Sequence, residues 1–162
     1  MPKRCAAATP IICSAGSPSA PDSWRRPSVP NRATYDYAVV RVVPRVERGE
    51  FVNVGVLVSC PGAGRLEAGI ELYEARVLAL DPNLDLDSLR AHLAAIERIC
   101  RGGPGSGPIG ELPARARFHW LTARRSSIIQ MSPVHTGRCL RPEAILDHLL
   151  ARMVRPIAPQ AR

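Results

Sequence analysis

The stretch from Tyr35 to Ser59, YDYAVVRVVPRVERGEFVNVGVLVS, constrains the fold more than any other part of the chain. Tyr35 to Val43 and Phe51 to Ser59 are runs dominated by valine and aromatic residues, a composition that suits a pleated, half-buried surface. Between them lies Pro44-Arg45-Val46-Glu47-Arg48-Gly49-Glu50, longer than a tight turn and ordinary for a hairpin loop. An antiparallel hairpin follows. Pro61-Gly62-Ala63-Gly64 then turns the chain into a third strand, about Arg65 to Leu72, completing a meander.

Helical patterns come next. Tyr73 to Leu80 reads as a short helix ended by Asp81-Pro82. Leu86, Leu89, Leu93, Ile96 and Cys100 recur at helical spacing, with Asp85 or Asp87 placed to cap the N-terminus. After the glycine- and proline-rich loop 102–108, Leu112 to Arg124 predicts a helix with Phe118, Leu121 and Trp120 on one side. Ser127 to Ser132 reads as a fourth strand closed by Pro133, and the segment around Gly137 as a loop. Arg141-Pro142-Glu143 opens a last helix, with Ile145, Leu146, Leu149, Leu150 and Met153 as its buried stripe. The sum is an α+β domain, an antiparallel sheet of three to four strands with helices packed on one face.

The chain of 162 residues suits a single domain, assigned to 34–155. Residues 1–33, rich in proline, serine and alanine, read as a disordered basic leader, and 156–162 as a flexible tail. The net charge is +8, of which the leader carries +4 through Lys3, Arg4, Arg25, Arg26 and Arg32 against Asp22. The excess left for the domain is mild and well short of a nucleic-acid footprint. Trp24 beside Arg25-Arg26 is the one hint of a basic arm for an acidic partner. Cys5, Cys13, Cys60, Cys100 and Cys139 are odd in number and contain no C-x-x-C pair, which argues against a disulfide framework or a zinc site and for reduced thiols in the cytoplasm. No membrane span is expected, and Pro10, Ser14, Gly16 and Pro18 break the early apolar patch before a signal-peptide core forms.

Two constellations could carry function. If the hairpin centres on Glu47, Arg41 opposes Asn53 and Val39 opposes Gly55. Gly55 would then leave a hollow beside Arg41 and Asn53, bordered by Arg48 and Glu50. Guanidinium, amide and carboxylate groups around a hollow suit a small anion or a peptide backbone. The plainer arrangement pairs Glu50 with Arg48 or Arg45 and leaves Asn53 to loop backbone groups. The second constellation is Arg115, Arg117, His119, Trp120, Arg124 and Arg125, where arginine beside an aromatic ring could hold phosphate and stack a base. Exposed arginine around a half-buried tryptophan is the commoner arrangement.

Other chemistries find less. The glycine loop lacks the G-K-[ST] ending of a phosphate-binding loop. His92, His119, His135 and His148 show no metal-ligand spacing, and Asp81, Asp85 and Asp87 fit turns and caps better than a calcium loop. Cys139 near His135 could suggest a nucleophile and base, but both lie in a loop beside Gly137, and nearness in sequence says little about space. No cofactor or metal is expected.

Y-x-Y-x-x-x-R-x-x-P at Tyr35 to Pro44, R-G-E-F-V-N-V-G-V at Arg48 to Val56 and S-S-I-I-Q-M-S-P at Ser126 to Pro133 together resemble the bacterial "domain of unknown function 3037" family, over about residues 35–154. The matching motif residues are Tyr37, Arg41, Pro44, Arg48, Gly49, Glu50, Asn53, Gly55 and Gln130, with Met131 where an aromatic residue is expected. The resemblance brings no reaction, cofactor or catalytic residue. It implies an accessory role, because members are often encoded beside HipA-like kinases.

The leading expectation is therefore a non-catalytic module that binds a protein partner, a HipA-like kinase foremost, through Arg41, Arg48, Glu50, Asn53, Gly55 and Gln130. The alternative is nucleic-acid binding through Arg115, Arg117, Trp120, Arg124 and Arg125. Weaker still is a small hydrolase with Glu50 as base and Arg41 and Arg48 as anion clamps.

Overall fold

The structure, a computed structural model, describes residues 32–157. Nearly all of the leader, with the Trp24 arm, and the last five residues of the tail lie outside the described residues.

The hairpin forms as expected. β1 (Ala33–Val42) pairs antiparallel with β2 (Val52–Cys60), which pairs in turn with β3 (Arg65–Ile70). Along the other side of β1 two short strands lie end to end. β4 (Ile129–Met131) pairs with Val40–Val42, and β5 (His135–Cys139) pairs with Ala33–Tyr37. Among the described residues the sheet thus has five strands, where three to four are expected. β5 falls where a loop was read, because its sequence, HTGRC, is exposed and polar and contains glycine. That glycine has a packing reason. A Cβ at Gly137 would collide with the ring of Tyr35, its partner across the ladder.

The α-helices among the described residues are α1 (Glu74–Leu78), α2 (Leu86–Arg101), α3 (Gly107–Gly110), α4 (Ala114–Thr122) and α5 (Ile145–Met153). Asp85 caps α2 by accepting from the N–H groups of Asp87 and Ser88 at 3.0 and 3.1 Å. Leu89, Leu93, Ile96 and Cys100 bury one stripe of α2 against Val40, Val42, Leu57, Phe118 and Leu121. A second cluster packs Ile145, Leu149 and Leu150 of α5 against Tyr35, Val56 and Val58.

These clusters occupy opposite faces of the sheet, since residues of alternate parity on β1 belong to each. The α+β class is as expected, but the helices cover both faces, not one. A β-bulge divides the apolar run of β2 between those faces. The register runs Val42↔Val52 and Arg41↔Asn53, then shifts so that Val40 faces Gly55 and Val39 faces Val56. The shift reverses the parity of β2, sending Val54 and Leu57 to the α2 side and Val56 and Val58 to the α5 side. With β2 buried on both faces from Val54 to Cys60, one helical layer could not have covered it.

Candidate functional site

At the hairpin end of the sheet, three polar residues lie in a row across neighbouring strands. Asn53 of β2 is the register partner of Arg41 on β1, and Gln130 of β4 is the partner of Arg41 on the other side. All three therefore share a face, the one that α5 covers further along. The Arg41 guanidinium carbon sits 4.4 Å from the ring centroid of Phe51, which is 47% exposed.

The polar bonding of this row is incomplete. The Asn53 amide donates to the Met153 carbonyl at 2.9 Å, tying β2 to the last turn of α5, but its Oδ1 is buried without a partner among the described residues. Arg41 Nε is likewise buried and unpartnered. Gln130 Nε2 donates to the Ser127 carbonyl at 2.9 Å. A donor and an acceptor thus stand unmet on cross-strand neighbours, an arrangement native structures seldom leave without cause.

The rest of the expected hairpin site is rearranged. Arg48 and Glu50 form a two-bonded ion pair at 2.7 and 3.2 Å out in solvent. Arg45 pairs with Asp81 instead. The hollow expected at Gly55 is absent. A Cβ there would lie 2.5 Å from both the Gly69 carbonyl oxygen and Ile70 Cδ1, so the missing side chain admits β3 rather than a ligand. The bulge also sets Gly55 opposite Val40, not Val39.

The arginine cluster is not one surface. Arg115 Nη1 donates to Asp36 Oδ2 at 2.5 Å, and the Thr136 hydroxyl donates to Asp36 Oδ1 at 2.6 Å. Thr136 first, then Arg115, hold the Asp36 carboxyl below its usual range against the opposing effect of burial. Arg117 Nη1 turns inward to the carbonyls of Ile99 and Cys100 at 2.8 and 2.9 Å and closes the C-terminus of α2. Trp120 leaves the buried side of α4 and is 38% exposed, with the Arg125 guanidinium 3.9 Å above its ring. Of the five, Arg117 alone turns inward, and Arg115 stays exposed but is tied to Asp36.

Two thiols of the described residues are buried, Cys60 and Cys100. Burial pushes Cys100 up to about 12, and Cys60 is also raised, chiefly by burial. His135 and Cys139 stand at opposite ends of β5, about 13 Å apart at strand spacing. No group of His, Cys, Asp and Glu able to hold a metal ion occurs among the described residues, and no helix among them is long and apolar enough to cross a membrane.

Sequence reasoning missed Phe51 as the ring beneath Arg41 and the Met153 carbonyl as the anchor of Asn53. Phe51 was legible, two residues before Asn53 at the strand mouth. The Met153 contact spans a hundred residues and left no local signal.

Neither a curated protein nor a solved structure is detectably similar to the chain. The family model described as "Protein of unknown function (DUF3037)" matches residues 37–154, which takes in the hairpin, both helical layers and the polar row. With most of its length matched, the chain belongs to the DUF3037 family.

Proposed function

We propose that the chain is a non-catalytic binding module that a protein partner reads at the Arg41–Asn53–Gln130 row. One observation carries the reading: Arg41 Nε and Asn53 Oδ1, on cross-strand neighbours, are both buried and unpartnered. Each such atom costs on the order of 1–3 kcal/mol, so a donor and an acceptor kept together favour a complex that satisfies both. A peptide group or a side-chain amide offers the matching acceptor and donor once the Arg41 and Asn53 side chains turn outward to meet it. Phe51 adds exposed aromatic area beside them, and Arg48 and Glu50 form a polar rim, the usual anatomy of an interface. A HipA-like kinase is the first partner to test, on the neighbourhood that the family resemblance implies.

The test is capture by the full-length tagged protein in its native host, with the eluate identified by mass spectrometry. Wild type should retain one stoichiometric protein. Arg41→Lys keeps the charge but removes the Nε fork, and should release that protein at an unchanged melting temperature. Glu50→Ala should weaken capture less, as befits an exposed rim pair. A partner held equally by both variants would overturn the reading. Nucleic acid in place of protein, released steeply by salt, would replace it with the alternative.

A further inference from the structure

The neighbouring edge of the sheet, which shares Gln130 with the polar row, carries a second inference. β4 pairs with β1 on one side, and no other strand among the described residues pairs with it. The ladder decides which backbone groups point to the open side. Val43 N–H donates to the Ile128 carbonyl at 2.7 Å, and Ser132 N–H donates to the Val39 carbonyl at 2.9 Å. Residues 128, 130 and 132 therefore direct their backbone groups at β1, and those of Ile129 and Met131 point outward. The Ser127 hydroxyl takes the Ile129 carbonyl at 2.7 Å. The Ile129 N–H and both backbone groups of Met131 remain on the open edge.

Beside this edge a cleft of about 210 Å³ opens against α2 and α4, walled by Ile96, Ile99, Trp120 and Leu121. Its lining is mostly apolar, with His92, Arg125, Ser127 and Gln130 the polar members. Exposed Ile128 and Val134 flank the two ends of β4. The two ends differ in charge. Past Met131 the groove is lined by Arg124 and Arg125, and no carboxylate lines that end. At the Ile128 end it meets Asp81 and Asp85, but Arg45 engages Asp81 and Asp85 caps α2. Positive charge sits at the Met131–Val134 end, on exposed Arg124 and on Arg125, which also donates to the Trp120 carbonyl at 2.9 Å, while exposed Asp85 keeps its negative charge at the other end.

We infer that the outer edge of β4 takes an extended, acidic segment of another protein as an added strand. The added strand meets the three outward backbone groups. Its alternate apolar side chains enter the Trp120 cleft, and its acidic residue lies against Arg124 and Arg125. Backbone pairing supplies affinity, while the cleft and the two arginines supply selectivity.

The test starts from a displayed library of random linear peptides panned on the full-length protein. Enriched sequences should alternate β-branched or aromatic residues and carry Asp or Glu. An enriched peptide is then titrated into wild type, Met131→Pro and an Arg124→Glu, Arg125→Glu double variant. Proline at Met131 removes one outward N–H and spares the bonds to β1, which come from its neighbours. Each variant should bind roughly tenfold more weakly or worse, through a lost backbone bond or reversed charge. Should the proline variant not fold, the double variant decides alone: panned afresh, it must select basic peptides in place of acidic ones. Three results would overturn the inference. They are enrichment without acidic bias, affinity unchanged in the foldable variants, or a concentration-dependent dimer of the chain that blocks the edge.

Discussion

Ser132 closes the ladder of β1 at the break between β4 and β5. Its hydroxyl accepts from the Val39 N–H at 2.9 Å, and its own N–H donates to the Val39 carbonyl at 2.9 Å. Pro133 follows immediately, and both Ser132 and Val39 are buried. Ser132→Ala leaves the Val39 N–H without a partner, so a loss of about 1–3 kcal/mol is expected. Ser132→Thr keeps the oxygen and should lose less. Urea denaturation of the two variants checks this, and equal losses would show that space rather than the hydrogen bond sets the requirement.

Gly55 gives a sharper steric test. A Cβ there meets the Gly69 carbonyl oxygen, part of the β3 backbone, which cannot swing aside as a side chain could. Gly55→Ala should therefore cost roughly 1–3 kcal/mol, the range of overpacked cores. Gly62→Ala, where a Cβ meets nothing within 4 Å, should stay within about 0.5 kcal/mol of wild type. If Gly55→Ala is equally mild, the β2–β3 approach is looser than described.

The hairpin was legible because valine-rich runs and a polar link leave one sensible pairing, and counting outward from Glu47 places Arg41 against Asn53. The count fails one step later. An unbroken apolar run such as Val54 to Val58 is compatible with either face, and only β3 and the helices reveal the bulge that divides it. The helix over Leu86–Arg101 was legible from period and cap, whereas β5 had neither apolar alternation nor β-branched density. The arginines of α4 show the same limit. Their sequence reads as one basic cluster, but Arg115 and Arg117 find partners 79 and 17–18 residues away. Such partners are set by tertiary packing, which no local pattern encodes.

Asp36 should leave a signature in the acid range. Its native pKa lies below the unfolded value of about 3.9, so its ionised contacts with Thr136 and Arg115 stabilise the fold fully above that value. The contribution is lost as pH falls through the lower native pKa. Asp36→Asn cannot lose it. The stability gap between wild type and Asp36→Asn should therefore be widest near neutral pH and narrow toward acid. Glu71, held down chiefly by Arg155, will add its own acid slope to both proteins and cancel in the difference. Denaturant midpoints of the pair at neutral and acid pH decide it, and a gap independent of pH would remove Asp36 ionisation from the account.

Arg117 and Arg124 separate structural from surface arginine on the same segment. Arg117 donates to two carbonyls at the end of α2, with its guanidinium packed against the backbone at Gly102. Arg117→Met keeps most of the apolar stem and removes both bonds, so a loss of about 1.5–3 kcal/mol is expected from charge-assisted bonding. Exposed Arg124→Ala should change stability by less than about 0.5 kcal/mol. Hydrogen exchange adds a local readout, with the last turn of α2 opening sooner in Arg117→Met while β1 and β2 keep their protection. If Arg117→Met is as mild as Arg124→Ala, the bonds to Ile99 and Cys100 do not hold α2, and Arg117 returns to the outward-facing set.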